Sequence, residues 1–267
     1  MQIRPMLPAD LSAAVELVAG NGWGGIPEQF AFMSRHPECH LFVAESGSQI
    51  IGTAVATQRG TAGWVGMITV APEARGRGLG TALTRHVMAV LTGLGCQTLL
   101  LFATEMGRPI YEQLGFVPDT EFVLRAGPGL VDLPEGLRPI TPADLPWICA
   151  LDRAATGQDR AAELGAFAHG GWAVADQGFL IPTSWGTQAM AAATPEAGRV
   201  LLDAARAVTP SGPDGVRLAM PADNRDGAAY LLSHGFQDVA RMPRMVLGAP
   251  LQWEPAMVYG RMSGAME

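Results

Sequence analysis

Residues 75–80, Arg-Gly-Arg-Gly-Leu-Gly, alternate glycine with arginine and leucine directly before a stretch with helical periodicity. The first backbone N–H groups of a helix have no intrahelical partner, and the helix dipole favours negative charge at that end. Glycines let the backbone approach a ligand closely, and Arg75 and Arg77 add positive charge. The sequence therefore predicts an anion-binding loop suited to phosphate. A glycine-rich turn that binds no ligand is the alternative.

The spacing excludes a dinucleotide-binding loop of the Gly-x-Gly-x-x-Gly type. A pattern that starts at Gly76 needs glycine where Thr81 stands, and one that starts at Gly78 needs glycine where Leu83 stands. A P-loop is excluded as well, because the chain contains no lysine.

The elements around the loop predict a mixed α/β sheet. The patterns indicate, in order, a helix (9–20), a strand hairpin (40–46 and 49–58), a strand (63–71), a helix (83–94), a buried strand (96–104) and a short helix (108–116) before a further strand. This order of helices and strands is typical of an α/β fold in which the loop joins a strand to a helix.

Three short motifs recur in the same order and indicate two tandem domains. "IRPMLPADL" (3–11) returns as "LRPITPADL" (137–145), "VAPEA" (70–74) as "AATPEA" (192–197), and "YEQLGF" (111–116) as "YLLSHGF" (230–236). The predicted organisation is a first domain at 1–126, a Gly- and Pro-rich linker at 127–136, and a second domain at 137–267.

Composition limits the function classes. The 267 residues carry a formal net charge of −7, which argues against a partner that is nucleic acid or an anionic membrane. Three scattered cysteines without metal-ligand spacing predict reduced thiols and no metal site. No signal region or membrane-length apolar run is present, so we expect a cytoplasmic protein. Arginine without lysine, beside much alanine and glycine, suggests a bacterial genome rich in G and C.

The stretch "VAPEARGRGLGTAL" resembles the signature of the GNAT superfamily of N-acetyltransferases. Its Arg/Gln-x-x-Gly-x-Gly/Ala pattern matches Arg75, Gly78 and Gly80. "RPIYEQLGF" resembles the second motif of that superfamily, in which a tyrosine, here Tyr111, is followed four residues later by Gly-Phe. The resemblance covers residues 1–126 and implies acetyl-CoA as the acetyl donor and an amine as the acceptor, with no metal.

The resemblance also implies a set of site residues. Acetyl-CoA contacts are implied at Ile68, Thr69, Val70, Arg75, Gly76, Arg77, Gly78, Leu79, Gly80, Thr81 and Thr104. Thr104 stands where many members have asparagine, so a contact made by that asparagine is not implied. Tyr111 is implied to protonate the departing CoA thiolate, which a positioned hydroxyl can do. A tyrosine that only packs beside Gly-Phe is the alternative.

The group that deprotonates the acceptor amine is not evident from the sequence. The strand at 63–70 has no acidic residue, whereas some superfamily members place a glutamate there. The candidates, none preferred, are Glu28, His36, Glu45, Glu105, Asp119 and Glu121. Trp23, in the segment that by resemblance overlies the acceptor pocket, either lines that pocket or packs.

The second copy lacks the Arg-Gly-Arg-Gly-Leu-Gly loop, and Leu231 occupies the position of Tyr111 when the Gly-Phe pairs are aligned. We therefore expect one acetyl-CoA per chain. Asp152, Asp159 and Arg160 resemble a segment of two-domain members; they form ion pairs or contact a ligand, and both interpretations stay open.

The function predicted is transfer of an acetyl group to an amine of a small molecule. The alternatives are a non-catalytic acyl-CoA-binding sensor or scaffold and an enzyme that acetylates proteins.

Overall fold

The structure, a computed structural model, describes residues 1–20 and 26–265. The chain divides into two compact units. Unit 1 comprises Met1–Pro118, Met245–Pro250 and Gly264–Glu267, and unit 2 comprises Asp119–Arg244 and Leu251–Ser263. Helices and strands alternate around mixed and antiparallel sheets, so the predicted mixed α/β fold is confirmed.

Five strands and four α-helices lie within the described residues 1–20 and 26–116 of unit 1. The strands are β1 (Gln2–Pro5), β2 (Cys39–Ser46), β3 (Gln49–Arg59), β4 (Ala62–Val70) and β5 (Thr98–Phe102), and the helices are α1 (Leu11–Ala19), α2 (Ile26–Met33), α3 (Leu79–Gly93) and α4 (Arg108–Gln113). The strands follow the order β1-β2-β3-β4-β5. Neighbours are antiparallel up to β4, whereas β4 and β5 are parallel.

The sheet of unit 1 is completed by residues from far along the chain. Met245 is fully buried in the core of this unit. The Ala249 N–H donates to the Gln97 carbonyl at 3.0 Å, and Thr98 Oγ1 donates to the Ala249 carbonyl at 2.7 Å. The predicted first domain at 1–126 is therefore corrected, since Met245–Pro250 belongs to it.

Unit 2 contains the remaining strands and helices of the described residues, apart from residues 117–118 and 245–248 at the ends of two strands, which belong to unit 1. The strands are β6 (Val117–Gly127), β7 (Arg138–Pro139), β8 (Trp172–Val174), β9 (Gly178–Pro182), β10 (Gln188–Ala192), β11 (Val216–Pro221) and β12 (Gln237–Gly248), and the helices are α5 (Leu145–Thr156), α6 (Ala161–Phe167), α7 (Pro195–Val208) and α8 (Arg225–Ser233). One antiparallel sheet has the order β10-β9-β8-β7, and β6 pairs antiparallel with β11. No helix within residues 1–20 and 26–265 has the length and apolar composition needed to cross a bilayer.

The predicted linker at 127–136 is also corrected. Because β6 pairs with β11, residues from Asp119 onward belong to unit 2. The segment that follows is bound to the same unit: the Leu130 N–H donates to the Arg206 carbonyl at 3.1 Å, and Arg206 Nε donates to the Pro128 carbonyl at 3.2 Å. Gly and Pro in this stretch interrupt secondary structure without separating two domains.

The repeated Arg-Pro-x-x-Pro-Ala-Asp motif makes the same contacts in both copies. In unit 1, Arg4 donates to both carboxylate oxygens of Asp10 at 2.6 and 3.0 Å. In unit 2, Arg138 donates to both oxygens of Asp144 at 2.8 and 2.7 Å. The arginine hydrogen bonds are the largest cause that holds the pKa of each aspartate below its usual value. The identical residues thus serve the same local structure.

Candidate functional site

A β-bulge shapes the end of β4. Pairing with β3 advances two residues on β3, from Thr53 to Val55, but three residues on β4, from Thr69 back to Gly66. Met67 accommodates the extra residue with a φ of 51°, a left-handed conformation that is rare for a residue with a side chain. Thr53 Oγ1 donates to the Met67 carbonyl at 2.8 Å and holds the bulge.

The strands β4 and β5 are paired only before the bulge. Their parallel pairing runs from Ala62↔Thr98 to Trp64↔Leu100 and ends there. The last residues of β4, Ile68 to Val70, therefore lie past the paired region and line an open cleft. An extended segment with unpaired backbone groups on one side can add a strand-like ligand by backbone hydrogen bonds.

The start of α3 forms the opposite wall of the cleft. Gly76 and Gly78 have φ values of 73° and 76°, which only glycine adopts at little cost. Gly78 is the N-cap and therefore offers no side chain to the helix N–H groups. The first bond along the helix runs from the Ala82 N–H to the Gly78 carbonyl at 3.0 Å. The N–H groups before Ala82 lack an intrahelical partner, as expected of an anion-binding helix start.

Arg75 and Arg77 differ in their placement. Arg75 Nε donates to the carbonyl of Val70 at 3.0 Å, which ties the loop to the end of β4. Arg77 is exposed and is not among the residues that line the cleft. Gly80 lies deeper, where a Cβ atom would stand 3.4 Å from Ile110 Cδ1. Gly76 and Gly78 thus serve backbone conformation, whereas a Cβ atom at Gly80 would make only ordinary van der Waals contact with Ile110.

The cleft encloses a cavity of about 500 Å³. Its lining includes the predicted residues Ile68, Thr69, Val70, Arg75, Gly76, Gly78, Leu79, Gly80, Thr81, Thr104 and Tyr111. Sequence reasoning missed five further lining residues, which are Ala74, Thr84, Met106, Gly107 and Ile110. Thr84 could have been found from helical spacing, since it lies one turn after Gly80. Trp23 lies outside the described residues.

Tyr111 lies in the wall of this cavity and is 8% exposed. Its ring packs against Gly107, where a Cβ atom would lie 2.8 Å from Tyr111 Cε2, and edge-on to Phe116. Burial raises the pKa of Tyr111 to about 12, so the hydroxyl keeps its proton at neutral pH.

Two threonines of the lining have different roles. Thr104 Oγ1 accepts from the Gly107 N–H at 3.1 Å and stabilises the turn before α4. Thr69 is 4% exposed, and its hydroxyl has no hydrogen-bond partner among the described residues. An unpaired buried hydroxyl costs free energy that a ligand with a suitable polar group would recover. Thr69 is therefore a polar contact available to a ligand in the cavity.

None of the six candidate bases is among the residues that line the cavity. Three of them form ion pairs within their own unit: Glu45 with Arg4 at 2.6 Å, Glu121 with Arg241 at 2.9 Å, and Asp119 with Arg244. Glu28 and Glu105 are exposed, and His36 is half-buried. Burial is the main cause that lowers the pKa of His36, followed by the nearby Arg59.

The charged residues singled out in unit 2 pair with one another. Asp152 and Arg160 form a fully buried ion pair, with Arg160 Nε donating to Asp152 Oδ2 at 3.0 Å. Asp159 pairs with Arg153 at 2.6 Å on the surface. These contacts correspond to the ion-pair interpretation.

Comparison with known proteins relates part of the chain to a family of acetyltransferases. The fold of the whole chain is that of a candidate acetyltransferase from Pyrococcus horikoshii, with a TM-score of 0.86 and 20% identity over 100% of this chain and 95% of that chain. Residues 37–118 match the model of the acetyltransferase (GNAT) domain. The resemblance to the GNAT superfamily noted from the sequence is thus confirmed over residues 37–118.

A curated relative covers the same region. N-alpha-acetyltransferase 30 of Schizosaccharomyces pombe is 33% identical over 93 residues, which are 32% of this chain and 61% of that protein. The chain thus spans about three fifths of the length of that relative.

Proposed function

We propose that the chain is an N-acetyltransferase that moves an acetyl group from acetyl-CoA to an amine, with its site in unit 1. One observation carries this proposal. The open start of α3, the end of β4 beyond its pairing with β5, and Tyr111 line a single cavity of about 500 Å³. Each of the three supplies a different part of the chemistry.

The residues present fit acetyl-CoA. The N–H groups from Gly76 to Thr81 and the helix dipole suit a pyrophosphate. Beyond the bulge, the edge of β4 suits an extended chain with amide groups, and the unpaired Thr69 hydroxyl offers one more hydrogen bond. When bound, acetyl-CoA supplies the activated acetyl group; the protein supplies position and protons.

Tyr111 is the proton donor of the reaction. The acetyl carbon forms a bond to the amine nitrogen as its bond to sulfur breaks, and the thiolate that leaves needs a proton. The pKa of Tyr111, raised to about 12, keeps that proton available. The proton lost by the amine goes to solvent, because the described residues that line the cavity include no carboxylate or histidine.

The acceptor we propose is the primary amine of a small molecule. The likeness to N-alpha-acetyltransferase 30 favours a second candidate, the terminal amine of a peptide. The two acceptors differ in size, and turnover with free amines against short peptides distinguishes them.

A panel assay tests both. Free amines and unblocked peptides are incubated with the full chain and acetyl-CoA, and free thiol is detected. We expect thiol release that depends on one acceptor class and is lost in Gly78→Asp. Binding of acetyl-CoA without release by any acceptor would instead support a sensor or scaffold.

A further inference from the structure

Unit 2 contains the counterparts of the three elements that form the cavity in unit 1. The repeated Pro-Glu-Ala and Gly-Phe motifs align β10 with β4, α7 with α3, and α8 with α4. In unit 1 these elements surround a cavity. In unit 2 they surround Tyr259, a residue of the C-terminal segment that is 2% exposed.

The ring of Tyr259 packs against two helix positions that are occupied by glycine. A Cβ atom at Gly198, in the first turn of α7, would lie 2.1 Å from Tyr259 Cζ. A Cβ atom at Gly227, in the first turn of α8, would lie 3.1 Å from Tyr259 Cε1. Both helices thus approach the ring with glycine, and any larger residue at Gly198 would collide with it.

The backbone of the same segment is hydrogen-bonded to β10. The Tyr259 N–H donates to the Met190 carbonyl at 3.0 Å, and Val258 forms an antiparallel bridge with Ala191. Asn224 Nδ2 donates to the Val258 carbonyl at 2.8 Å. Since β10 is the end strand of its sheet, the segment adds to that edge as a short extra strand.

The segment is also anchored after Tyr259. Trp185 Nε1 donates to the Met262 carbonyl at 2.8 Å, and Met262 and Ser263 are both buried. Gly260 lies so close to β10 that a Cβ atom there would be 2.6 Å from the Gln188 carbonyl oxygen. The docked segment therefore has backbone, side-chain and packing contacts along its length.

We propose that residues 254–263 are a built-in occupant of the cleft of unit 2, with Tyr259 as the plug, and that this cleft takes no acyl-CoA while the segment is docked. The segment takes the place along β10 that corresponds to the free edge of β4. Its ring fills the space between the two helix starts. The proposal concerns unit 2 alone and does not depend on the activity proposed for unit 1.

Hydrogen exchange of the full chain tests the docking directly. We expect the amides of peptides that cover residues 254–263 to exchange as slowly as those of β9 and β10, within about tenfold, with and without saturating acetyl-CoA. Exchange of these peptides within seconds would show an undocked tail and overturn the proposal. Faster exchange only when acetyl-CoA is present would also overturn it, because the segment would then be displaced by ligand.

Paired substitutions test the role of Tyr259. Gly198→Ala is expected to lower the midpoint of thermal unfolding by several degrees, because the new methyl collides with the ring. Gly165→Ala is the matched control, since a Cβ atom there meets nothing within 4 Å, and we expect its midpoint to be unchanged or higher. In Tyr259→Ala, the penalty of Gly198→Ala should disappear, whereas in Tyr230→Ala it should persist.

An equal effect of Gly198→Ala in the wild-type and Tyr259→Ala backgrounds would overturn the proposal. If Tyr259→Ala does not fold, Tyr259→Leu gives a smaller side chain for the same cycle. A Gly198→Ala variant as stable as Gly165→Ala would be equally decisive, and that comparison needs no substitution at Tyr259.

Discussion

The two helices that follow the Pro-Glu-Ala motifs begin in different ways. In unit 1 the loop at 75–78 separates the motif from α3, whose N-cap is Gly78 with a left-handed φ. In unit 2 the helix α7 begins inside the motif at Pro195, and the side chain of its N-cap, Thr194, accepts from the Ala197 N–H at 3.3 Å. One helix start is left open to an anion, and the other is closed by its own cap.

A second difference lies on the short helices α4 and α8. In unit 1, Tyr111, whose hydroxyl keeps its proton at neutral pH, is one of the residues that line the cavity. Leu231, its counterpart, is fully buried in the core of unit 2, and the neighbouring Tyr230 donates to Asp203 at 2.7 Å. The two units thus have similar elements but differ in three features: the side chain that caps the helix start in unit 2, the tyrosine hydroxyl in unit 1, and the segment that occupies the cleft of unit 2.

Gly78→Asp tests the open helix start and should have the largest effect. The substitution strains a residue at φ 76° and puts a negative charge at the proposed anion site. We expect acetyl-CoA affinity to fall by on the order of 100-fold or more, as measured by calorimetry.

Gly47→Asp is the matched control for this loss. Gly47 has a φ of 62° and open space around it, so the variant carries the same backbone strain in the β2–β3 turn. Its affinity should equal that of the wild type. A folded Gly78→Asp protein with wild-type affinity would contradict the anion site.

Tyr111→Phe tests the difference between the short helices. Removal of the hydroxyl should lower turnover by about 10²-fold, the usual range for a lost general acid, and leave acetyl-CoA affinity within about twofold. Tyr230→Phe is the control and should keep full turnover. Rapid-quench kinetics measures the rate of the chemical step in both proteins. A decrease in this rate of less than about threefold would show that Tyr111 only packs in the cavity wall.

Part of this architecture could be predicted from the sequence. The glycine loop and the order of elements follow from local patterns, because glycine conformation and helix starts are local properties, whereas most of the cavity lining was implied by the resemblance to the GNAT superfamily. The bulge at Met67 could not be predicted, since its φ of 51° results from the register with β3. Nor could the placement of Met245 and Tyr259, whose positions depend on pairing with distant strands. The repeated motifs mark where each of the two similar units lies along the chain, but they do not predict which distant segments pack into each unit.

Thr194→Ala removes the side chain that caps the start of α7, and we expect a moderate decrease in thermal stability. Loss of an N-cap costs about 1 kcal/mol, which should lower the unfolding midpoint by roughly 2–4 °C. The binding ratio of acetyl-CoA should stay at one per chain, because Tyr259 still fills the cleft. A ratio near two by equilibrium titration would show that the cap alone closes unit 2.

The pH dependence of turnover should show the smallest effect. Burial raises the pKa of Tyr111 to about 12, so less than about 1% of this hydroxyl ionises below pH 9.5. The stability of the fold should depend on pH in the same range. Because the pKa of Tyr111 is higher in the folded state than in the unfolded state, its contribution to stability is fully present below the unfolded pKa, near 10. This contribution is lost as the pH rises toward about 12. Turnover at saturating acceptor should therefore not decline between pH 7.5 and 9.5. Stopped-flow thiol detection measures turnover over this pH range. If turnover declines in the wild type and the decline is absent in Tyr111→Phe, Tyr111 ionises more readily than its burial implies.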